Sequence, residues 1–435
     1  MSIKDVFSLN EGAEVTIRGG WVYRKRELKD KIFLVVRDGS GIIQAVINKS
    51  DPNTAGIASK LNIESSLMLT GIVKKEPRAP GGAEVHVRSI DWYYIGDPFP
   101  INEDAAKADS EYLLDVRHLW IRSRRMWAIL RVRHTVFGAI HEFFRSRGYY
   151  EVQGPMFVSA AVEGGATLFP VKYFDREDVY LTQSSQFYLE VLIYTLEKVY
   201  TVAPSFRAEP SRTRRHLTEF WHAEAEEAWL QFDGLLNLLE DLITYIVNKV
   251  LEERQDELKL LNRDTKILEN VKPPFYRVSY DEAIEILQSK GGLNIKWGGD
   301  DIGGADEERV LTMQFDKPIL LHHFPEQVKA FYHRNDPSKP GGTTLSVDVL
   351  APEGYGGEIV GGGERIYDYE ELLSKIKKFG LKPEDYDWYL DLRRYGSVPH
   401  AGFGLGVDRL VMWVCGLDHI RDALPFPRDI RRVKP

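Results

Sequence analysis

"FRAEPSRTRRHLTEFWHAEAEEAW", residues 206–229, places four arginines, two histidines and five glutamates in 24 positions, the arginines mostly early and the glutamates mostly late. With the preceding "YTVAPS", the stretch reads as a strand, a charged loop and a returning strand. Glu224 and Glu226 lie two apart on the returning strand and therefore share a face. An ion-paired surface hairpin would account for charge alone. Two features point elsewhere. Arg212, Arg214, Arg215 and His216 fall within five consecutive residues and repel one another unless a polyanion lies among them. Arg207 sits between apolar neighbours, where an arginine has a fixed partner. A phosphate-rich ligand meets both conditions.

Working outward, the chain of 435 residues is long enough for two domains with their own cores. Its first hundred residues read as short strands broken by turns: "EVTIRGGWVYRKR", "KIFLVVRDGSGIIQAVIN", "SSLMLTGIVKKEP" and "GAEVHVRSIDWYYIG". A short helix is expected at 51–63. This order fits a five-stranded Greek-key barrel of the OB type over residues 1–100. Residues 101–125, after two prolines, are polar and acidic and read as a linker. From 126 to 435 the pattern is mixed α and β. Apolar residues take a helical period at 126–148, closed by Gly148, and again at 233–254, with Asp233 placed to cap. Strand-like runs "DVYLTQ", "PILLHHF" and "TLSVDVL" do not alternate regularly with helices, which predicts an α+β domain, an antiparallel sheet flanked by helices.

Net charge is −8, but residues 1–103 hold 14 Lys+Arg against 13 Asp+Glu. Nucleic-acid contact must then come from local patches such as "YRKRELKDK" at 23–31. The single cysteine, Cys415, excludes an intrachain disulfide framework. The N-terminus lacks a leader pattern and the apolar runs are too short for a bilayer, so a cytoplasmic protein without membrane spans is expected. Glycines gather in "GGEIVGGGERI" at 356–366 and "HAGFGLGVDRL" at 400–410. Each run ends in an acidic residue followed by arginine, Glu364-Arg365 and Asp408-Arg409, which suggests a second anion-binding element.

Arg207 in "FRAE" with the arginine-histidine loop up to Phe220, and "GFGLGVDR", resemble motifs two and three of the class II aminoacyl-tRNA synthetases. "RGYYEVQGPMF" resembles motif one. A barrel ahead of such a core resembles the aspartyl, asparaginyl and lysyl subgroup. The resemblance implies ATP and Mg2+ as cofactors, tRNA as partner and a homodimer. It assigns Arg207 to the ATP α-phosphate and Glu209 to the adenine amino group. Arg215 and His216 would take the terminal phosphates, and Phe220 would stack adenine against Arg409. Leu217, Glu358, Gly406 and Asp408 complete the expected ATP site, in which Arg207 and Arg409 carry catalysis. Glu358 and Asp348 become the magnesium carboxylates. This sequence departs from the aspartyl pattern at Gly361, where that pattern has serine.

For the amino acid, Glu163 and Gln186 resemble the residues that take the α-ammonium, and Arg365 would hold the side-chain carbonyl. Aspartyl enzymes resemble "QSPQLYKQ" where this sequence reads "QSSQFYLE", 183–190, so their lysine is Leu189. Their aspartate after motif two is Glu224. Losing a cation and lengthening a carboxylate implies a pocket that accepts an amide and repels an acid, hence asparagine and tRNA(Asn). An aspartyl enzyme of relaxed tRNA choice, a related ligase that makes free asparagine from aspartate and ammonia without tRNA, and a non-catalytic tRNA-binding paralogue are the alternatives. In the barrel, Arg26, Phe33 and Gln44 match the subgroup's anticodon reader, through stacking and hydrogen bonding to a base edge. Residues 258–274 and 297–310 carry no chemical assignment and are expected to be connection and surface.

Overall fold

The computed structural model describes residues 1–102, 110–162, 167–211, 213–299, 302–303, 305–339, 342–355 and 357–435. It forms two compact units, Met1–Leu114 and Asp115–Pro435, dividing within the segment 101–125.

In the first unit, strands β1 (Glu14–Glu27), β2 (Lys31–Arg37), β3 (Ile42–Asn48), β4 (Ser66–Lys75) and β5 (Ala83–Tyr94) close a barrel in the order β1-β2-β3-β5-β4. Strict alternation drives the closure: Ile32, Leu34 and Val36 point inward and are fully buried, while the residues between them are only partly covered. Helix α1 (Pro52–Lys60) is capped by Asp51, which accepts from the Asn53 amide.

The second unit is built on an eight-stranded sheet. Its strands are β6 (Tyr150–Glu151), β7 (Lys198–Phe206), β8 (Glu219–Ala228), β9 (Tyr276–Ser279), β10 (Ile319–His322), β11 (Ser346–Leu350), β12 (Glu358–Glu364) and β13 (His400–Gly406). They lie in the order β9-β10-β11-β12-β13-β8-β7-β6. The interior pairs are antiparallel as expected, but both edges are parallel: β9 on β10 and β6 on β7. "DVYLTQ" contributes only Tyr180–Leu181, to a separate two-stranded sheet.

Helices cover one face. Helix α2 (Arg124–Ser146) starts at Ser123, whose hydroxyl accepts from Met126 N, and stops before Gly148 at φ +78°. Its stripe of Ile129, Val132, Val136, Ile140 and Phe143 packs with α4 (Phe232–Glu253) and α6 (Val407–Cys415) over the sheet. Each such side chain contributes about 1.5–3 kcal/mol on burial. Asp233 is not the cap of α4: Gln231 holds that position, and Asp233 lies in the first turn, where it favours the helix dipole instead.

The two segments expected to be mere connection are anchored. Arg263 donates to Glu353 at 2.9 and 2.7 Å, and Leu258, Leu268 and Val271 enter the main core. Helix α5 (Ala305–Thr312) delivers a buried glutamate, Glu308, to Arg215.

Candidate active site

The second face of the sheet stays polar. On β8, Ala223 and Ala225 point into the helical core while His222, Glu224 and Glu226 point the other way and are nonetheless buried. β13 makes room for them. Its register sets Gly404 opposite Glu224 and Gly402 opposite Glu226. A Cβ at Gly402 would lie 2.1 Å from the Glu226 carboxylate, and one at Gly404 2.3 Å from the His222 ring. The glycine run "GFGLG" is thus a floor shaped for buried polar side chains.

Above this floor lies a cavity of about 520 Å³ lined by, among others, Gln186, Arg207, Glu224, Asp348, Glu358 and Arg365. A smaller one of about 60 Å³ is lined by Arg207, Glu209, Arg215, His216, Leu217, Phe220, Glu358, Gly406, Asp408 and Arg409. All ten residues expected around ATP therefore gather at one place. The cavities share Arg207, His222, Glu358 and Gly404. Glu163 lies outside the described residues, as does Arg212.

In the smaller cavity the Arg207 guanidinium lies 5.3 Å from the Phe220 ring centroid. Arg409 donates to the Glu358 carbonyl at 2.7 Å. Burial, with Arg409 and Arg214 nearby, lowers Arg215 to about 10. Burial and then Arg409, Arg215 and Arg207 lower His216 to about 4. Like charges so arranged are suited to an anion. Asp408 acts through structure, because its carboxylate takes Arg133 Nη1 and the Trp221 amide and so fixes the start of α6 against β8. Arg409, the next residue, is thereby aimed into the cavity.

In the larger cavity Glu224 accepts from Ser184 Oγ and, at 2.8 Å, from Ser185 N. Among the described residues of the arginine loop, none forms an ion pair with it. A carboxylate retains further acceptor sites after two such bonds. Arg365 donates Nε and Nη2 to Glu226, at 3.1 and 2.6 Å to Oε1. Leu189 does not face the cavity: it is fully buried and packs with Ile193, Val199 and Ala228. Position 189 thus contributes no polar group, and the negative character rests on Glu224.

Glu358 and Asp348 flank Gly361, which pairs with Asp348 across β11 and β12. A Cβ at Gly361 would sit 2.1 Å from Glu358 Oε1, so the carboxylate occupies the space of the missing side chain. Although burial pushes Glu358 upward, Lys329, Arg409 and Arg207 hold it below the usual carboxylate range. Two carboxylates beside this cavity fit Mg2+, which is held by one or two carboxylates plus phosphate and water. No group of three or more metal-binding side chains occurs among the described residues. Lys329 Nζ is 2.6 Å from Asp348 Oδ2.

Lys329, His222 and His333 also line the larger cavity, and sequence reasoning does not single them out. The first and last belong to "FPEQVKAFYHRND", where an isolated lysine among aromatics after a strand is the available signal.

In the barrel, Arg26, Phe33 and Gln44 are brought together on the outer surface of β1, β2 and β3. Arg26 is the direct cross-strand neighbour of Phe33, and Gln44 faces Val35. Alternation excludes Phe33 from the core. Gln44 Nε2 donates to Glu84 at 2.7 Å, and Glu84 also meets His86 at 2.8 Å. Glu84 is a neighbour that spacing in the sequence does not reveal, because β3 and β5 meet only in the closed barrel.

Motifs two and three meeting at the smaller cavity, on a sheet whose interior strands are antiparallel and which follows a barrel in the chain, define a class II synthetase. Residues 109–430 match the family described as tRNA synthetases class II (D, K and N), and residues 15–92 match the OB-fold nucleic acid binding domain. The chain belongs to this synthetase family of ATP-dependent ligases. It is 52% identical to the asparagine–tRNA ligase of Thermoplasma acidophilum, covering 98% of this chain and 97% of the relative. Identity to that of Thermococcus kodakarensis is 53%, over 99% and 98%. The crystal structure of asparaginyl-tRNA synthetase from Pyrococcus horikoshii complexed with asparaginyl-adenylate superposes with a TM-score of 0.94 at 50% identity, covering 100% of this chain and 99% of that one.

Proposed function

We propose that the chain activates asparagine with ATP and transfers it to tRNA(Asn). An oxygen of the asparagine carboxylate attacks the α-phosphorus, the bond to the β-phosphate oxygen breaks, and pyrophosphate leaves. The 3′-terminal hydroxyl of the tRNA then attacks the acyl carbon, loses its proton and expels AMP. No side-chain nucleophile is required; positioning and charge neutralisation carry both steps.

Arg207 lines both cavities, so it stands where the amino-acid carboxylate and the α-phosphate meet and stabilises charge developing there. Arg215, His216 and Arg409 bind the rest of the triphosphate, with Phe220 against adenine. Glu358 and Asp348 would hold Mg2+, which supplies neutralisation of phosphate charge. Gln186 and Glu163 bind the α-ammonium, and Arg365 the side-chain carbonyl. Glu224 accepts the amide NH2. The observation that carries asparagine over aspartate is the fixed, buried Glu224 carboxylate in the larger cavity, since such a group accepts an amide donor and repels an acid. Arg26, Phe33 and Gln44 read the anticodon. A homodimer formed through the segment 147–157 and a cytoplasmic setting complete the reading. Among the described residues no helix is long and apolar enough to cross a membrane.

ATP–pyrophosphate exchange without tRNA, with asparagine and aspartate supplied separately, tests it. Exchange with asparagine alone is expected. Exchange with aspartate alone would overturn the role of Glu224, and silence with both would favour a non-catalytic tRNA-binding protein.

A further inference from the structure

Glu190 lies beneath the larger cavity without lining it. It sits on α3 (Gln186–Leu196), one turn after Gln186, and is fully buried. Its Oε1 accepts from Gln186 Nε2 at 3.0 Å and from Tyr389 Oη at 2.8 Å. Its Oε2 receives Arg393 Nη2 at 2.7 Å and lies 2.9 Å from His400 Nε2. The other nitrogen of His400 faces the Val398 carbonyl at 2.8 Å, and Arg393 Nε donates to the Ile366 carbonyl at 2.8 Å. Although burial pushes the Glu190 carboxyl upward, Arg393 and His400 hold it well below the usual range.

A buried ionic cluster of this kind adds little to stability over apolar packing of the same volume. Among the described residues, Gln186 is the cavity-lining side chain to which Glu190 is hydrogen-bonded. An ionised carboxylate only accepts, so the Gln186 amide has to turn its NH2 down toward Glu190. Resting on the reading of Gln186 as a ligand of the α-ammonium, we propose that Glu190 is a positioning residue that fixes the Gln186 amide with its carbonyl oxygen toward the substrate ammonium.

Substitution by glutamine makes the consequence specific. In Glu190→Gln, Arg393 and His400 still demand an acceptor and hold the new carbonyl on their side. The new NH2 then faces residue 186 and draws the Gln186 carbonyl toward it, leaving an NH2 opposed to the ammonium.

The test compares exchange kinetics of the full chain with asparagine and inhibition by succinamic acid, which is asparagine without its α-amino group. Glu190→Gln is expected to raise KM for asparagine at least ten-fold while KM for ATP and the inhibition constant of succinamic acid stay within two-fold. In a Gln186→Met background the same change is expected to have no further effect on asparagine. Parallel weakening of asparagine and succinamic acid, an equal shift in KM for ATP, or an unchanged KM for asparagine would overturn the proposal. Gln186→Met alone separates the underlying reading: if it leaves KM for asparagine unaltered, the ammonium site itself is wrong. Should Glu190→Gln not fold, Glu190→Asp, which keeps the charge but withdraws from Gln186, is expected to show the same split.

Discussion

Glu224 illustrates how much one side chain can decide. Ser184 and Ser185 hold both of its oxygens, so the carboxylate cannot swing away from a substrate that carries the wrong group. Hydrogen bonds to a charged group are worth about 1.5–3 kcal/mol. Glu224→Gln should therefore lower kcat/KM for asparagine by roughly 10- to 150-fold in exchange assays. It should also narrow the preference over aspartate, and unchanged discrimination would place specificity elsewhere. His216 makes a second prediction at this scale. Burial and the arginines Arg409, Arg215 and Arg207 lower it to about 4. Phosphate oxygens oppose those arginines, so its pKa rises when ATP binds. ATP binding then takes up a proton between pH 4 and the bound value, and affinity increases as pH falls through that window. Above both values the link vanishes. Calorimetry at about pH 5.5 in two buffers of different ionisation enthalpy reads this uptake; it should be smaller in His216→Asn, and equal uptake in both would sink the idea.

At the scale of elements, β13 shows why glycine counts are informative only in part. The run at 400–406 is readable as close backbone approach, but not what approaches. The answer depends on register: Glu226 and His222 project over Gly402 and Gly404 from the neighbouring strand. Glu226 is itself clamped by Arg365, so it cannot yield to a new methyl group. Gly402→Ala should break the Glu226–Arg365 pair, raise KM for asparagine more than ten-fold and cost about 1–3 kcal/mol in denaturant unfolding, the penalty of overpacking. A variant with normal kinetics and stability would show that the floor is not tight. The motif-bearing strands and the two long helices are legible because period and spacing are local properties. The parallel edges of the sheet, the cluster around Glu190 and the pairing of Arg215 with Glu308 are not, since each joins residues tens to hundreds of positions apart. Leu189 fails for a related reason: a position that reads as facing substrate rotates into the core, which only the packing of α3 against β7 and β8 decides.

For the whole molecule, the chemistry divides between the two compact units. Every residue proposed to touch ATP or asparagine lies beyond Asp115, whereas Arg26, Phe33 and Gln44 lie before Leu114. Adenylate formation consumes only small molecules, so it needs nothing from the barrel. Transfer to tRNA needs both. Phe33 is held outward by the alternation of β2, beside Arg26, with Gln44 tied to Glu84. It thus presents a ring that packing inside the barrel does not require. Stacking of a base on an aromatic side chain is worth about 1–3 kcal/mol. Phe33→Ala should therefore raise KM for tRNA in aminoacylation by roughly 5- to 150-fold, while ATP–pyrophosphate exchange and the melting temperature change little. Loss of exchange along with charging would mean that the substitution damages folding. Unaltered charging would mean that the anticodon is read by another face, leaving the outward aromatic, the neighbouring arginine and the tethered glutamine without a ligand.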